Sequence, residues 1–439
     1  MEGQSILGSR IVNGTTVDLN RKFKLALGIM ENTGKNLFIT GRAGTGKSTL
    51  LECFRKDTKK NIAVIAPTGV AALNVQGQTI HSFFRFRPDI TPDSVAQLQY
   101  IGQKAMYQRL DTIVIDEISM VRADLLDCID VFMRLNGRNS ELPFGGVQMI
   151  FIGDLYQLPP VVTQGEAEMF KEHYRSQYFF DSHVFNGFEI ELIELEEHYR
   201  QTDKHFIALL NAIRNNSATE EHLAALNVRY DPSFIPKASD NYITLTTTNR
   251  LADAINAEEL GKLPGRLHVF KASIDGFERD VLPADEELKV KEGMQVMLLN
   301  NDKEGRWVNG SIGVVSEVRQ GYVVVRLIDG SEVEVQPYKW ELFKFSYDQK
   351  LKRLVSKSVG SFAQYPMMPA WAVTIHKSQG KTFNRVIIDI GSGTFAHGQL
   401  YVALSRCTNL DGIVLRKKLE KRHMLVDPRV IGFLGRYQS

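Results

Sequence analysis

The chain of 439 residues is 43% hydrophobic and 24% charged, enough apolar material for about two to four domains with real cores. Its formal net charge of only +2 excludes a uniformly basic surface, so a polyanion would have to be met by a local groove. Cys53, Cys128 and Cys407 form no C-x-x-C pair, and nothing reads as a signal peptide or membrane span; a disulfide or zinc framework is disfavoured and a reducing, cytoplasmic setting is expected.

The first predicted strand, 36–40, runs into Gly41-Arg42-Ala43-Gly44-Thr45-Gly46-Lys47-Ser48, and a helix is predicted from Lys47 to Lys56. In that strand, loop and helix setting, the G-x-x-x-x-G-K-S pattern turns successive backbone N–H groups inward around a polyphosphate. The expected ATP contacts are Gly41, Ala43, Gly44, Thr45, Gly46, Lys47, Ser48 and Thr49. Lys47 would reach the β- and γ-phosphates, and the Ser48 hydroxyl would take one place on Mg²⁺.

Further strands are predicted at Ile62–Ala66, Thr112–Ile115 and Gln148–Gly153, with a helix at Ala123–Leu135. Continuous apolar runs of this kind suit strands covered on both faces, hence a parallel α/β sheet. The third strand ends in Asp116-Glu117, where Asp116 would hold Mg²⁺ through water and Glu117 would deprotonate the attacking water. The fourth runs into Gly153-Asp154-Leu155-Tyr156-Gln157-Leu158-Pro159-Pro160, and Gln157 is placed to sense the γ-phosphate. Residues 85–109 read as a small insertion. Phe83, Phe84 and Phe86, beside Arg85 and Arg87, suit a stacking wedge or plain core equally well.

A second α/β pattern is expected from 187, dividing the chain into domains 1–186 and 187–439. Its strands are Glu189–Leu195, Tyr242–Thr246, Ala372–Thr374, Arg385–Ile390 and Gly412–Leu415; its helices are Lys204–Asn215 and Leu251–Leu260. Between them, roughly 265–368, lies a different grain. Val323–Ile328 and Glu332–Val335 alternate about Asp329-Gly330, a hairpin signature flanked by strands at Gln295–Leu299 and Ile312–Val318. A small β-barrel inserted in the second domain is expected. The basic run Arg416-Lys417-Lys418, continued by Lys421-Arg422, reads as a solvated face rather than a phosphate contact.

The motifs resemble those of superfamily-1 helicases. Ala66-Pro67-Thr68-Gly69-Val70-Ala71-Ala72 with Thr79-Ile80-His81-Ser82-Phe83 is similar to motif Ia, and Asp116-Glu117-Ile118-Ser119-Met120 to motif II. Pro143-Phe144-Gly145-Gly146 and Gly153 to Pro160 resemble motifs II and III. Thr374-Ile375-His376-Lys377-Ser378-Gln379-Gly380 and Tyr401-Val402-Ala403-Leu404-Ser405-Arg406 resemble motifs V and VI. The pattern spans residues 41 to 406 and is closest to the PIF-type helicases, relatives of the RecD type.

The resemblance implies an α/β fold of two RecA-like P-loop domains with parallel sheets, a small insertion in the first and an SH3-like β-barrel in the second. It implies an ATP-dependent helicase moving 5′ to 3′ on single-stranded DNA and opening duplexes, forks and G-quadruplexes, with roles in repair, recombination and telomere maintenance. Arg200 and Arg406, with Gly380, would join Gln157 at the nucleotide, the two arginines stabilising transition-state charge. Thr68, Gly69, His81, Thr246, Asn249, Thr374, His376 and Lys377 would line the DNA groove, where hydroxyl and amide groups hold phosphates without adding net charge. A DNA-stimulated translocase that remodels protein–DNA complexes without strand separation is the alternative.

The segment Leu19-Asn20-Arg21-Lys22-Phe23 lacks the glutamine with which related helicases read adenine, leaving Asn20 or Phe23 as substitutes. Eukaryotic members carry long extra N-terminal regions, so a compact bacterial, nucleoid-associated form working as a monomer is expected.

Overall fold

Apolar strands and the helices that cover them sort the chain into two units, seen here in a computed structural model. It describes residues 9–437 apart from 13–14, 19, 43, 97–103, 163, 197–202, 278–281, 349, 351–352, 392 and 395. Residues 1–155, 159–197 and 342–359 form the first unit; 156–158, 198–341 and 360–439 form the second.

The first unit is built on a six-stranded sheet in which every neighbouring pair is parallel. Its order is Gln78–Thr79, Ile62–Ala66, Thr112–Ile115, Gln148–Ile152, Leu37–Gly41 and Glu191–Leu195. Leu37 and Ile39 face helices Arg21–Asn32 and Lys47–Asp57, packing with Phe23, Met30, Leu50 and Phe54. Between them Phe38 points the other way, to Phe179 at 5.7 Å between ring centroids. Both faces are thus buried, which is why these strands read as unbroken apolar runs.

Two expectations change here. The boundary at 186/187 does not hold, because Glu191–Leu195 pairs with Leu37–Gly41 from end to end as the edge strand of the first sheet. The aromatics of the 85–109 region are core, not a wedge. Phe83, Phe84 and Phe86 are all buried, and Phe84 lies edge-on to Phe132 at 5.2 Å and stacks on Phe86 at 5.3 Å. Short helices Pro92–Ala96 and Lys104–Tyr107 bracket the insertion, and the Tyr107 hydroxyl donates to the Phe83 carbonyl at 2.8 Å.

The second unit carries a four-stranded parallel sheet ordered Ala372–Thr374, Ile243–Thr246, Val386–Asp389 and Ile413–Leu415. Helices Lys204–Arg214 and Gln399–Leu404 contribute Phe206, Leu209, Leu400 and Val402 to its core. Between helix Asn249–Lys262 and strand Ala372–Thr374 the topology turns antiparallel. Glu332–Val335, Tyr322–Leu327, Ile312–Arg319, Gln295–Leu298 and Met367–Pro369 form one sheet. A pair, His268–Lys271 with Glu287–Val290, and a triplet, Ser273–Asp275, Arg353–Gln364 and Tyr338–Asp348, complete the insert.

This insert has its own core of Leu288, Val296, Trp307, Val325 and Tyr365 among others. At the Asp329-Gly330 turn, Gly330 has φ +86°, a value only glycine adopts freely, while Asp329 Oδ1 accepts from the Ser331 N–H and hydroxyl. The insert does not stay within the second unit as expected, since 342–359 belongs to the first. There the Phe345 N–H donates to Gln78 Oε1 at 2.9 Å, and the Phe345 ring meets Phe83 edge-on.

Candidate nucleotide and nucleic-acid sites

In the first unit, the strand Gln148–Ile152 lies between Leu37–Gly41 and Thr112–Ile115, so three parallel carboxyl ends open side by side. That is where open α/β sheets hold ligands. Gly41 has no room for a side chain: a Cβ would lie 2.6 Å from Thr45 Oγ1 and 2.7 Å from the Leu195 carbonyl oxygen. Gly44 and Gly46 take φ of +82° and +89°, and Gly46 caps the Lys47–Asp57 helix in the left-handed region. Thr45 braces the loop by donating from its hydroxyl to the Arg42 carbonyl at 2.9 Å. Ser48 and Thr49 sit in the first helical turn, and Ser48 is exposed. Ala43 lies outside the described residues.

The Lys47 ammonium donates to the carbonyls of Gly41 at 2.6 Å and Arg42 at 3.0 Å, so it is turned into the loop that would cradle phosphates. It also acts on Asp116. Burial, and next the neighbouring Glu117, push the Asp116 carboxyl up to about 7, while Lys47 pulls in the opposite sense. Glu117 itself adopts φ +50°, ψ +43°, a left-handed conformation uncommon for any residue with a side chain. Gly153 makes this turn possible: a Cβ there would stand 3.0 Å from Ile118 Cγ2 and 3.2 Å from the Ile118 nitrogen. The glycine loop, the acidic turn and the end of the fourth strand are therefore one site.

Neither suggested adenine reader has an idle side chain. Asn20 Oδ1 accepts from the Phe23 N–H at 2.8 Å and caps helix Arg21–Asn32, and Phe23 is buried beneath that helix.

Thr68 caps helix Gly69–Asn74, its hydroxyl accepting from the Ala71 N–H at 3.2 Å, and leaves Val70 exposed beside Gly69. His81, half-buried in the short helix Ile80–Phe84, is held toward its neutral form mainly by burial, with Asp124 opposing and Arg122 reinforcing the shift.

In the second unit, Thr374 and Thr246 are register partners at the ends of adjacent parallel strands. Both are buried and committed. Thr246 Oγ1 donates to the Thr248 carbonyl at 3.1 Å, and Thr374 Oγ1 accepts from the Lys377 N–H at 3.2 Å. Exposed beside them are Asn249, which opens the next helix, and Lys377; His376 is half-buried and held toward its neutral form by burial. Gly380, at φ +76°, is open to solvent.

Gln157 groups with the second unit, where its Oε1 accepts from Gln379 Nε2 at 3.3 Å. Arg406 does not project from the surface in this structure. Its guanidinium is fully buried and donates to the carbonyls of Val402, Ser378 and Lys381 and to Ser405 Oγ. Arg200 lies outside the described residues.

The basic run is tied to its own surface: Arg416 donates to the Pro232 carbonyl, Lys417 to the Gly391 carbonyl, and Lys418 lies over Tyr230. The three cysteines are buried and in no disulfide, and no cluster of metal-binding side chains occurs among the described residues. No helix among the described residues is long and apolar enough to cross a membrane.

Sequence reasoning missed one aromatic contact beside Gln157. The Arg214 guanidinium lies 4.2 Å from the centroid of Tyr156, and a Cβ on Gly398 would come 2.6 Å from the Gln157 carbonyl oxygen. An arginine at the buried end of an amphipathic helix is the only signal the sequence offers.

Known proteins carry the same arrangement. Residues 20–223 match the PIF1-like helicase family, and 369–410 match the UvrD-like helicase C-terminal domain. The ATP-dependent DNA helicase Pif1 of Bdellovibrio bacteriovorus is 30% identical over 449 residues, covering 99% of this chain and 96% of that protein. The ATP-dependent DNA helicase PIF1 of Danio rerio is 35% identical over 412 residues, 91% of this chain; the chain spans only 60% of that longer relative. The structure of unliganded Pif1 from Bacteroides superposes with a TM-score of 0.88 at 35% identity, covering 96% of this chain and 98% of that one. Bacteroides Pif1 bound to single-stranded DNA superposes at 0.68, with 35% identity and coverage of 96% and 97%. With its P-loop, acidic turn and second parallel sheet in the same order over nearly its whole length, the chain belongs to the PIF1-like family of ATP-dependent DNA helicases.

Proposed function

We propose that this helicase works as a monomer, moves 5′ to 3′ along single-stranded DNA, and opens duplexes, forks and G-quadruplexes. The observation that carries the nucleotide chemistry is the glycine loop, with the Lys47 ammonium turned into it, at the mouth of the same parallel sheet as the Asp116–Glu117 turn, near enough for the lysine's charge to act on Asp116. Lys47 exchanges its carbonyl partners for the β- and γ-phosphates, and Glu117 takes a proton from the attacking water. Gln157 and the second-unit arginines Arg200 and Arg406 then meet developing negative charge, which ties hydrolysis to closure of the protein on the triphosphate. Asn249, His376 and Lys377, with Gly69 and His81, hold the strand's phosphates. One solved relative bound to single-stranded DNA, and another that unwinds forked DNA as two coordinating helicases, support the strand-binding and fork-opening parts of this reading.

The residues also fit a divalent cation. A buried carboxyl at about 7 is a group whose ionised form lacks enough positive charge nearby, and Ser48 stands exposed at the start of the helix. Mg²⁺ bound with the nucleotide would neutralise the phosphate oxygens. Because the ion needs Asp116 ionised, Mg²⁺–ATP binding should release close to one proton near pH 6 and almost none near pH 8.5. Calorimetry in two buffers of different ionisation enthalpy counts those protons. Equal release at both pH values would remove Asp116 from the ligand set.

Polarity and strand separation are tested together, with a fluorescent duplex carrying a 5′ or a 3′ single-stranded tail. Unwinding from the 5′ tail alone is expected. Unwinding from the 3′ tail would reverse the assigned direction, while ATP turnover without opening either substrate would favour the remodelling translocase.

A further inference from the structure

Lys381 follows Gly380, and none of the chemistry above uses it. Its Nζ donates to Asn309 Oδ1 at 2.6 Å. Its stem lies along Gly310, where a Cβ would stand 3.3 Å from Lys381 Cβ and 3.4 Å from Cγ. Gly310, at φ +99°, donates its N–H to the Leu298 carbonyl, so this contact belongs to the loop joining strands Gln295–Leu298 and Ile312–Arg319 of the antiparallel insert. On its other side, Lys381 and Ser378 offer their carbonyls to the Arg406 guanidinium, both at 3.3 Å. One residue therefore bridges the insert's loop and the buried arginine.

The loop is braced as a single piece. Trp307 Nε1 donates to Asn300 Oδ1, the Asn309 N–H donates to Asn301 Oδ1, and Arg306 pairs with Asp302 while lying over Trp307. Val308, exposed in this loop, stands next to Asn309 in the chain. Within this loop Arg306 pairs with Asp302 and Glu304, while the lysine ammonium donates to the neutral Asn309 amide; the other cation of the cluster, Arg406, donates to the Lys381 backbone carbonyl. Among the described residues no carboxylate pairs with Lys381. Burial accordingly pushes its ammonium down to about 8.

We propose that Lys381 is a positioning residue, linking the 300–310 loop of the insert to the turn that holds Arg406, so that movement of the loop sets how readily the arginine leaves its buried place. The link rests on the reading that Arg406 acts in hydrolysis. When Lys381 carries its proton the bond to Asn309 is charge-assisted and firm; above about pH 8 the amine is neutral and the bond weakens.

The test is the pH profile of DNA-stimulated ATP turnover, measured on the full chain from about pH 6.5 to 9.5. Wild type should show an inflection in kcat near pH 8. Asn309→Asp, which gives the ammonium an anion, should move that inflection up by about one unit or more. Lys381→Met, which keeps the stem, should abolish it while KM for ATP stays within about twofold. A residue that only packs would leave the profile of Lys381→Met like wild type, and that result, or an unmoved inflection in Asn309→Asp, overturns the proposal. Arg406→Ala run alongside separates the two failures. Full turnover in that variant overturns the arginine's role and the link with it. Lost turnover there, with the Asn309→Asp inflection unmoved, overturns the link alone.

Discussion

Glu117→Gln should bind ATP and single-stranded DNA as wild type does and lose about a thousandfold in turnover, the order expected when a general base is removed. The substitution keeps size and shape, so the strained turn at φ +50° and its packing against Gly153 are preserved. What changes is charge. A neutral amide cannot take the proton of the attacking water. The same change has a second signature, because the Glu117 carboxylate helps hold the Asp116 carboxyl at about 7. Without it Asp116 ionises more readily, so Mg²⁺ should bind the variant no more weakly than wild type at neutral pH, and more tightly below it. Single-turnover hydrolysis combined with a Mg²⁺ titration reads both. Turnover within tenfold of wild type would remove the general-base role from Glu117, and weaker Mg²⁺ binding would remove its effect on Asp116.

The glycine loop and the acidic turn of the candidate nucleotide site were legible because each is local. A glycine loop between an apolar strand and a helix, and an acidic pair at a strand end, each announce themselves within ten residues or fewer. What could not be read depends on partners distant in sequence. Glu191-Leu192-Ile193-Glu194-Leu195 looks like a strand of either sheet, and only its pairing with Leu37–Gly41 assigns it to the first. Residues 342–359 read as part of the insert, yet Phe345 bonds Gln78 more than 260 residues away. The phenylalanines of 83–86 resemble a stacking platform until Tyr107 and Phe132 close over them. The hydroxyls matched by motif, Thr246 and Thr374, are buried and bonded to the Thr248 carbonyl and the Lys377 N–H, partners the motifs do not name. Nothing near Lys381 in the sequence hints at Asn309.

Arg406 brings the motif and the structure closest to conflict, and Arg406→Ala should resolve it with the second large effect. If the side chain served only the fold, its loss would leave the carbonyls of Val402, Ser378 and Lys381 short of a donor and cost about 1–3 kcal/mol, with turnover per folded molecule little changed. If it acts on the triphosphate, the stability loss should appear together with a fall in DNA-stimulated kcat of about 10³-fold or more, the range for an arginine that meets transition-state charge. We expect both. The two contributions separate in nucleotide binding: a residue reserved for the transition state should matter for ADP–aluminium fluoride and hardly at all for a non-hydrolysable ATP analogue. Arg406→Lys retains a cation but not the planar set of donors that holds four partners, and should recover little of either. Thermal melts establish that the variant is folded at the assay temperature. A folded Arg406→Ala protein that turns over ATP normally on single-stranded DNA, and binds both analogues as wild type does, would make this arginine a keystone of the second unit and leave the charge stabilisation to Arg200.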